Sequence, residues 1–520
     1  METKKMLLSA ENAVTKKNLS YSELMNFEDN DFEKAKRFLQ FARGEALYDS
    51  ATSKWFLYGE GRWKPDNERK ERVLNLVGTF YSYLNDALKS EYQDLEEYGF
   101  DISTGTVRDI DDEDVDNDQL TEIYARVKQC IRERKIISKL GNGHIQRRII
   151  KSAETQLVDE NVKLNPYDYY LVVANGTVDL RTGELLNHSR DYYSTMRAPV
   201  PYNREAKEPT RFLQFLEEIF NGDTSLINYV HRVLGYCLTG ETCRHEFYIL
   251  HGEGGNGKGV LINLLKSILD EYCADTNDGA LGRRANNDGP NATIVQAKYS
   301  RILFANETEK GAQINTALIK RISAGDEVSE RALHKNHDHF IPHMKLLLAT
   351  NHVPKLDWDD RAIERRARLI PFLVNIPKEK EVLHLDKILL EEREGILKWL
   401  VEGAVAYYQE GMLPIPETMR NAMDREKFGD DNVHRFFKKV IVPTGQKKDR
   451  WQARKLYAAY THCCVDEWTD LPISEKAFSQ RLQELIQNTA ISKKKCSDGM
   501  NYVGLKLLSK RADDKVTAEA

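Results

Sequence analysis

The chain has 520 residues, 30% of them charged, and a formal net charge of −5. That length suggests about three or four domains, each able to bury a core, and the charge excludes a uniformly basic nucleic-acid coat while leaving local basic surfaces open. The seven cysteines are scattered without a CxxC pair, and no apolar run approaches the ~20 residues of a membrane-spanning helix. A cytoplasmic protein with no membrane partner is therefore expected.

Residues 1–155 read as a mainly helical region with a small hairpin. Asp31 to Tyr48 carries apolar positions at helical spacing. Lys54 to Asp66, KWFLYGEGRWKPD, has aromatics flanking a Gly-Glu-Gly turn and reads as a hairpin. Trp55 and Trp63 are suited either to stack on bases or to anchor a small core. Glu68 to Leu95 is helical, and the acidic run Asp109 to Asp118 reads as a solvated loop, because no apolar strand flanks it. Glu122 to Ala153 is a basic helical stretch in which Lys128, Arg132, Arg134, Lys135, Lys139, Arg147, Arg148 and Lys151 suit either phosphate contact or a plain solvated face.

A small β-rich unit is expected over 156–205, with Asn-Gly and Thr-Gly turns. A helical collar follows over 206–245, with an N-cap expected at Thr210 and helix ends near Gly235 and Gly240. Over 246–375 strands and helices alternate, which predicts an α/β core with a mostly parallel sheet. Residues 376–429 read as lid helices and linker; the amphipathic helix Glu392 to Gln409 should lie on the core and end at Gly411 and Pro414. Residues 430–508 give helices and then a strand pair turning at Asp498-Gly499, a winged-helix-like order that suits DNA or a partner protein through the helix near Glu475 to Gln487. Cys463 and Cys464 fall in a helical pattern as core thiols, and 509–520 reads as a disordered tail.

The chemistry centres on His251 to Asn263, HGEGGNGKGVLIN, between an apolar strand FYIL and an amphipathic helix. Strand, glycine-rich turn and helix in that order make a phosphate-binding loop. Gly252, Gly254, Gly255, Asn256, Gly257, Lys258, Gly259 and Val260 are its candidate residues. Lys258 supplies a point charge for the outer phosphates of ATP. Gly259 stands where a serine or threonine hydroxyl would ligate Mg2+, so the metal must rely on carboxylates and water.

Four further elements sharpen this reading. RILFANETE places Glu307 at a strand tip, to polarise water and help hold Mg2+, with Asn306 and Glu309 beside it. KLLLATN ends in Asn351, an amide able to orient the attacking water. Asp326 to Pro342 reads as a β-hairpin with His334 to Asp338 at its tip, where His334, Lys335 and His337 would grip a DNA backbone. A zinc set among the histidines at 334, 337, 339 and 343 is disfavoured, since His343 lies beyond Pro342 and no cysteine assists. Arg365 and Arg366, before a strand, are equal candidates to reach a neighbouring subunit's γ-phosphate.

HGEGGNGKG, ANETEKG, SAGDEVSERAL, LATNHVP and ERRARLIPF in series resemble the superfamily 3 helicase module of the phage and plasmid primase-helicase family, which includes poxviral primase-helicases. The resemblance implies an AAA+ P-loop ATPase core assembling as a hexameric ring, with ATP bound between subunits. In it Lys258 matches the Walker A lysine, Glu307 the Walker B acid, Asn351 sensor 1, and Arg365 or Arg366 the arginine finger. It also implies 3′ to 5′ movement on single-stranded DNA, a bacterial host cytoplasm, and replication proteins as partners. A primase domain, frequent in relatives, is not expected, because no Asp-x-Asp lies on a strand.

The expected function is an ATP-dependent replicative DNA helicase of a phage or mobile element, acting on single-stranded and forked DNA. An ATP-controlled origin-binding or loader protein is the alternative, and a small-molecule kinase explains the loop but neither the hairpin nor the arginine pair.

Overall fold

The computed structural model describes residues 20–25, 28–50, 52–107, 117–157, 162–276, 281, 292–305, 314–331, 337–354, 356, 358, 360–377, 379, 381–429, 431–468, 470–487 and 489–508. The acidic run is described only from residue 117 onward, and the tail from Ser509 lies outside the described residues.

In the N-terminal part, α1 (Asp31–Phe41) is capped by Asn30, whose side chain accepts from the Glu33 amide. The periodicity had extended this helix to Tyr48. It stops at Phe41 because the next apolar residues are taken by a sheet: β1 (Ala46–Asp49) pairs with β2 (Lys54–Gly59), setting Tyr48 opposite Trp55. The expected hairpin is present, β2 pairing with β3 (Arg62–Pro65) around Glu60 and Gly61. Trp55 and Trp63 are fully buried, so both anchor cores and neither is open to a base. Trp55 donates to Glu154 (2.8 Å). Helices α2 (Glu71–Glu91), α3 (Asn117–Leu140) and α4 (Gly143–Gln156) complete this layer. The basic stretch is thus two helices; Arg134 and Arg148 are engaged, with the Ser103 and Thr104 carbonyls and with Asp31, while Lys128, Arg132, Lys135, Arg147 and Lys151 point to solvent.

A three-stranded antiparallel unit follows: β4 (Tyr170–Val173), β5 (Gly176–Asp179) and β6 (Glu184–Leu186). Next come α5 (Thr210–Ile219) and α6 (Thr224–Leu238). Thr210 is the first helical residue of α5 and not its N-cap. The Glu392 carboxylate, from far along the chain, accepts the Arg211 and Phe212 amides (3.0 and 2.9 Å) and does the capping.

The central sheet contains β7 (Phe247–His251), β8 (Cys273–Thr276), β9 (Ile302–Ala305), β12 (Lys345–Thr350) and β13 (Ala367–Pro371), with β10 (Val328–Arg331) and β11 (His337–Phe340) forming a separate hairpin. Its order is β8-β9-β12-β7-β13 and every pairing is parallel. Such a sheet is covered on both faces, which is why its strands read as unbroken apolar runs. Tyr248, Leu250, Phe304 and Leu347 pack on one face with α5, α6 and α7 (Lys258–Leu269). Phe247, Ile249, Leu303 and Leu346 pack on the other with α8 (Thr316–Ala324) and Ile363 of α9 (Arg361–Glu364).

Beyond the sheet lie α10 (Leu385–Glu391), α11 (Arg393–Glu410) and α12 (Glu417–Phe428). Helix α11 crosses α6 at very short range. A Cβ on Gly235 would sit 2.1 Å from the Gly403 carbonyl carbon, and one on Gly403 would sit 2.5 Å from the His231 oxygen. Gly235 therefore lies inside α6 as a contact residue and does not mark its end. Around this crossing His231 pairs with the Trp399 carbonyl (2.7 Å), and Arg232 donates to Ala406 (2.8 Å) and Glu410 (2.8 Å).

At the opposite end of α6, Arg301 donates to the Leu238 carbonyl and Lys345 to that of Thr239. Two cations thus meet the negative end of the helix and fix the starts of β9 and β12 against it.

The last part comprises α13 (Asn432–Lys439), β14 (Ile441–Pro443), β15 (Arg450–Gln452), α14 (Ala453–His462), α15 (Glu475–Ile486), β16 (Ser492–Cys496), β17 (Gly499–Val503) and β18 (Leu505–Leu507). Cys463 and Cys464 are buried on a π-turn, and burial pushes their thiols up to about 12 and about 11.

Candidate functional site

The site is built at the C-terminal edge of the sheet. Because β7 lies between β12 and β13, the loop leaving β7 is held from both sides: Gly252 donates to the Thr350 carbonyl (3.3 Å) and Phe372 to the His251 carbonyl (2.7 Å). The Ile376 amide donates to Gly255 (2.8 Å). Gly254, Gly255 and Gly257 all have positive φ, so the turn requires glycine there. Gly252 is required for space, since a Cβ would meet the Asn256 amide at 2.3 Å and the Phe372 carbonyl at 2.5 Å.

Helix α7 begins at Lys258 with no side chain capping it. Its first amides are left as donors at the positive end of the helix, the arrangement that favours an anion. This fits the triphosphate expected of the loop. The Lys258 ammonium is nine-tenths buried and donates to Gly252 O (2.5 Å), Asn256 Oδ1 (3.2 Å) and Asn351 Oδ1 (3.2 Å). Asn351 arrives there because it follows β12, the strand next to β7. The sheet thus brings together two residues expected to share a site, 93 positions apart in the chain. Around Gly259 a Cβ would meet nothing within 4 Å.

Strand β9 ends at Ala305, paired in the ladder that reaches β12. Asn306, Glu307 and Glu309, expected to serve water and Mg2+, lie outside the described residues. The hairpin expected around 326–342 is present as β10 and β11, with Arg331 opposite His337. His334 and Lys335 lie outside the described residues, and His337 is placed only by its backbone.

The two arginines differ sharply. Arg366 is buried and donates to the Lys320 carbonyl (2.8 Å) and Ser323 Oγ (3.3 Å) of α8. Arg365, one residue earlier, is exposed and makes no side-chain hydrogen bond or ion pair among the described residues.

His343 pairs with Asp168 (3.0 Å) and lies 3.2 Å from the Gly240 carbonyl, and no metal-ligating cluster occurs among the described residues. Burial opposes ionisation of Asp168, but His343, Arg301 and Lys345 outweigh it and hold the carboxyl below its ordinary range. This contact was missed from the sequence. The only signal was a histidine just before a strand. No helix of the described residues is long and apolar enough to cross a membrane, and all seven cysteines are free.

These features define a mixed α/β protein with a parallel sheet and a glycine-rich loop at its C-terminal edge. Residues 35–221 match the family model described as D5 N terminal like, and residues 250–366 match a family of unknown function, DUF5906. The chain is similar to proteins of the phage and viral primase-helicase family. Its relatives include "Putative helicase L207/L206" of Acanthamoeba polyphaga mimivirus, 25% identical over 68% of this chain and 35% of that one. "Primase D5" of fowlpox virus is 23% identical over 46% of this chain and 32% of the relative. The chain thus spans about a third of the length of these two curated relatives. Among solved structures, the apo C-terminal region of NrS-1 overlaps 60% of this chain and 80% of its own, at 15% identity and a TM-score of 0.33.

Proposed function

We propose that the chain is an ATP-dependent DNA helicase with an AAA+ core, working as a ring of identical subunits in phage or mobile-element replication. The observation that carries this is the meeting of Lys258 and Asn351 beside the uncapped start of α7. The names of the relatives, helicase and primase, support the same direction.

ATP supplies the phosphoanhydride. The α7 amides bind its phosphates, Lys258 neutralises charge on the outer ones, and Asn351 orients the attacking water. Glu307 polarises that water and, with Asn306, contributes to holding Mg2+. Arg365 acts on the nucleotide of the neighbouring subunit. This division follows from the partners of Arg366, whose guanidinium is committed to α8, whereas that of Arg365 is free to reach outward. The β10–β11 hairpin, with Lys335, His337 and His334, grips single-stranded DNA and moves 3′ to 5′ as hydrolysis proceeds. The winged-helix-like C-terminal unit adds a second DNA contact.

Phosphate release with and without a single-stranded oligonucleotide tests the reading. Stimulation by DNA that disappears in Lys258→Ala is expected. Hydrolysis indifferent to both the oligonucleotide and the lysine would overturn it. An origin-binding or loader role would give DNA-dependent hydrolysis without strand separation.

A further inference from the structure

Strand β12 joins the two ends of the proposed motor. At its C-terminal end it delivers Asn351 to Lys258. At its N-terminal end, on the opposite edge of the sheet, it continues from β11 through the short strap Ile341 to Met344. Every residue of β12 is buried, and the strand is paired with β9 on one side and β7 on the other. A strand packed along both sides shifts as one piece, over roughly 20 Å at the usual rise per residue.

The strap is fastened from outside the sheet. His343 Nδ1 lies 3.0 Å from Asp168 Oδ1 and 3.2 Å from the Gly240 carbonyl oxygen. A carboxylate and a carbonyl only accept, so this nitrogen carries the proton and donates to them whether or not the ring is charged. Asp168 lies just before β4 of the antiparallel unit, and its own carbonyl accepts the Gly240 amide (2.8 Å). Space there is tight: a Cβ on Gly240 would sit 2.3 Å from Asp168 Oδ1. The feet of the β10–β11 hairpin converge at the same place. A Cβ on Gly325, before β10, would sit 2.2 Å from Thr242 Oγ1 and 3.9 Å from the carbonyl oxygen of Pro342, which follows β11. Lys345 closes the knot, donating to the Thr239 carbonyl and to that of His343 (3.3 Å).

We propose that Asp168 and His343 are positioning residues that tie the feet of the β10–β11 hairpin to β12, so that a load on the hairpin reaches Asn351. This coupling rests on the proposed function, in which the hairpin grips DNA and Asn351 orients water, and adds the link by which one acts on the other. With the strap fastened, displacement of the hairpin is taken up by β12. With it loose, Ile341 to Met344 bend instead, and hydrolysis no longer answers to DNA. Packed, hydrogen-bonded elements of this kind carry coupling between separated sites. The antiparallel unit is then the fixed point against which the hairpin works.

The test measures phosphate release by the full-length chain with and without a single-stranded oligonucleotide, in wild type, Asp168→Ala, His343→Ala and the double variant. Each single variant should keep its basal rate and its KM for ATP within about twofold, because both residues lie at the edge of the sheet away from the nucleotide loop. The ratio of stimulated to basal turnover should fall by about threefold or more, the scale of a lost coupling contact. The double variant should fall no further than the singles, since all three remove one interaction. Asp168→Asn keeps an acceptor for His343 and should retain the wild-type ratio. Gly240→Ala pushes the carboxylate aside with both partners present and should reproduce the loss. It and His343→Ala give the reading where Asp168→Ala does not fold. An unchanged ratio in these variants, or basal and stimulated rates that fall together, makes the pair a structural contact and overturns the coupling while the proposed function stands. Wild-type hydrolysis that ignores the oligonucleotide sinks both.

Discussion

The Lys258 ammonium lies 3.2 Å from Asn351 Oδ1, across the boundary between β7 and β12. Asn351 directly follows β12, while Lys258 opens α7 after the glycine-rich loop from β7, and both reach the same edge of the sheet; in the proposed function this one geometry serves binding and chemistry. Substituting each should separate the two. Lys258→Ala should weaken ATP binding and lower turnover by about a hundredfold or more, the range seen when a preorganised charge or donor is removed. Asn351→Ala should lower turnover by a similar factor with nucleotide affinity within about threefold, because water orientation acts only in the reaction. Equilibrium nucleotide binding and phosphate release on both variants decide this; parallel loss of binding in both would deny Asn351 a separate role.

Arg365 and Arg366 should fail in different ways. Arg366→Ala removes a buried donor bonded to Lys320 and Ser323, and should cost about 1–3 kcal/mol of stability. Arg365→Ala should leave the melting temperature unchanged and abolish hydrolysis in the assembled protein. Thermal melts beside ATPase rates read both. A stable Arg366→Ala protein with no activity, beside an active Arg365→Ala protein, would reverse the assignment.

The crossing of α6 and α11 tolerates no side chain. Gly235→Ala and Gly403→Ala should each destabilise by ~3 kcal/mol or prevent folding, because backbone and not a flexible side chain occupies the space. Gly259→Ala is the control: nothing surrounds it, and within a helix alanine should be stabilising by up to ~1 kcal/mol. Denaturant midpoints compare the three. A neutral Gly235→Ala would mean that the helices can move apart.

Much of the core was legible because a doubly covered parallel sheet demands continuous apolar strands, and FYIL, ILFA and KLLLAT each supply one. The meeting of Lys258 and Asn351 was legible in part, because Asn351 sits where one such run ends and Lys258 closes the glycine-rich turn that follows another. The Glu392 cap on α5 was not, since nothing local marks a carboxylate as the partner of amides 180 residues away. Nor was the Gly235–Gly403 contact, because a glycine near a helix end reads locally as a stop. Tyr48 misled for a related reason: its spacing suits a helix, and only pairing with Trp55 makes it a strand residue. Arg365 and Arg366 were indistinguishable by neighbours in sequence, and burial against α8 separates them.

Burial of Lys345 pushes its ammonium down to about 7, beneath the Tyr236 ring. Between there and the ordinary lysine range the folded chain binds fewer protons than the unfolded chain. Stability should therefore rise with pH from about 7 to about 9.5, with this residue adding a slope of up to ~1.4 kcal/mol per pH unit. Lys345→Met should flatten that rise. Urea midpoints taken across the window for both proteins give the comparison, and equal slopes would show that the amine stays charged inside.

The most direct measurement is displacement of a labelled strand from a forked duplex. With ATP, the wild-type chain should release the strand at ring concentrations well below that of the fork, and Lys258→Ala should release none. Wild-type chain that hydrolyses ATP and binds the fork but leaves the duplex intact would contradict the motor.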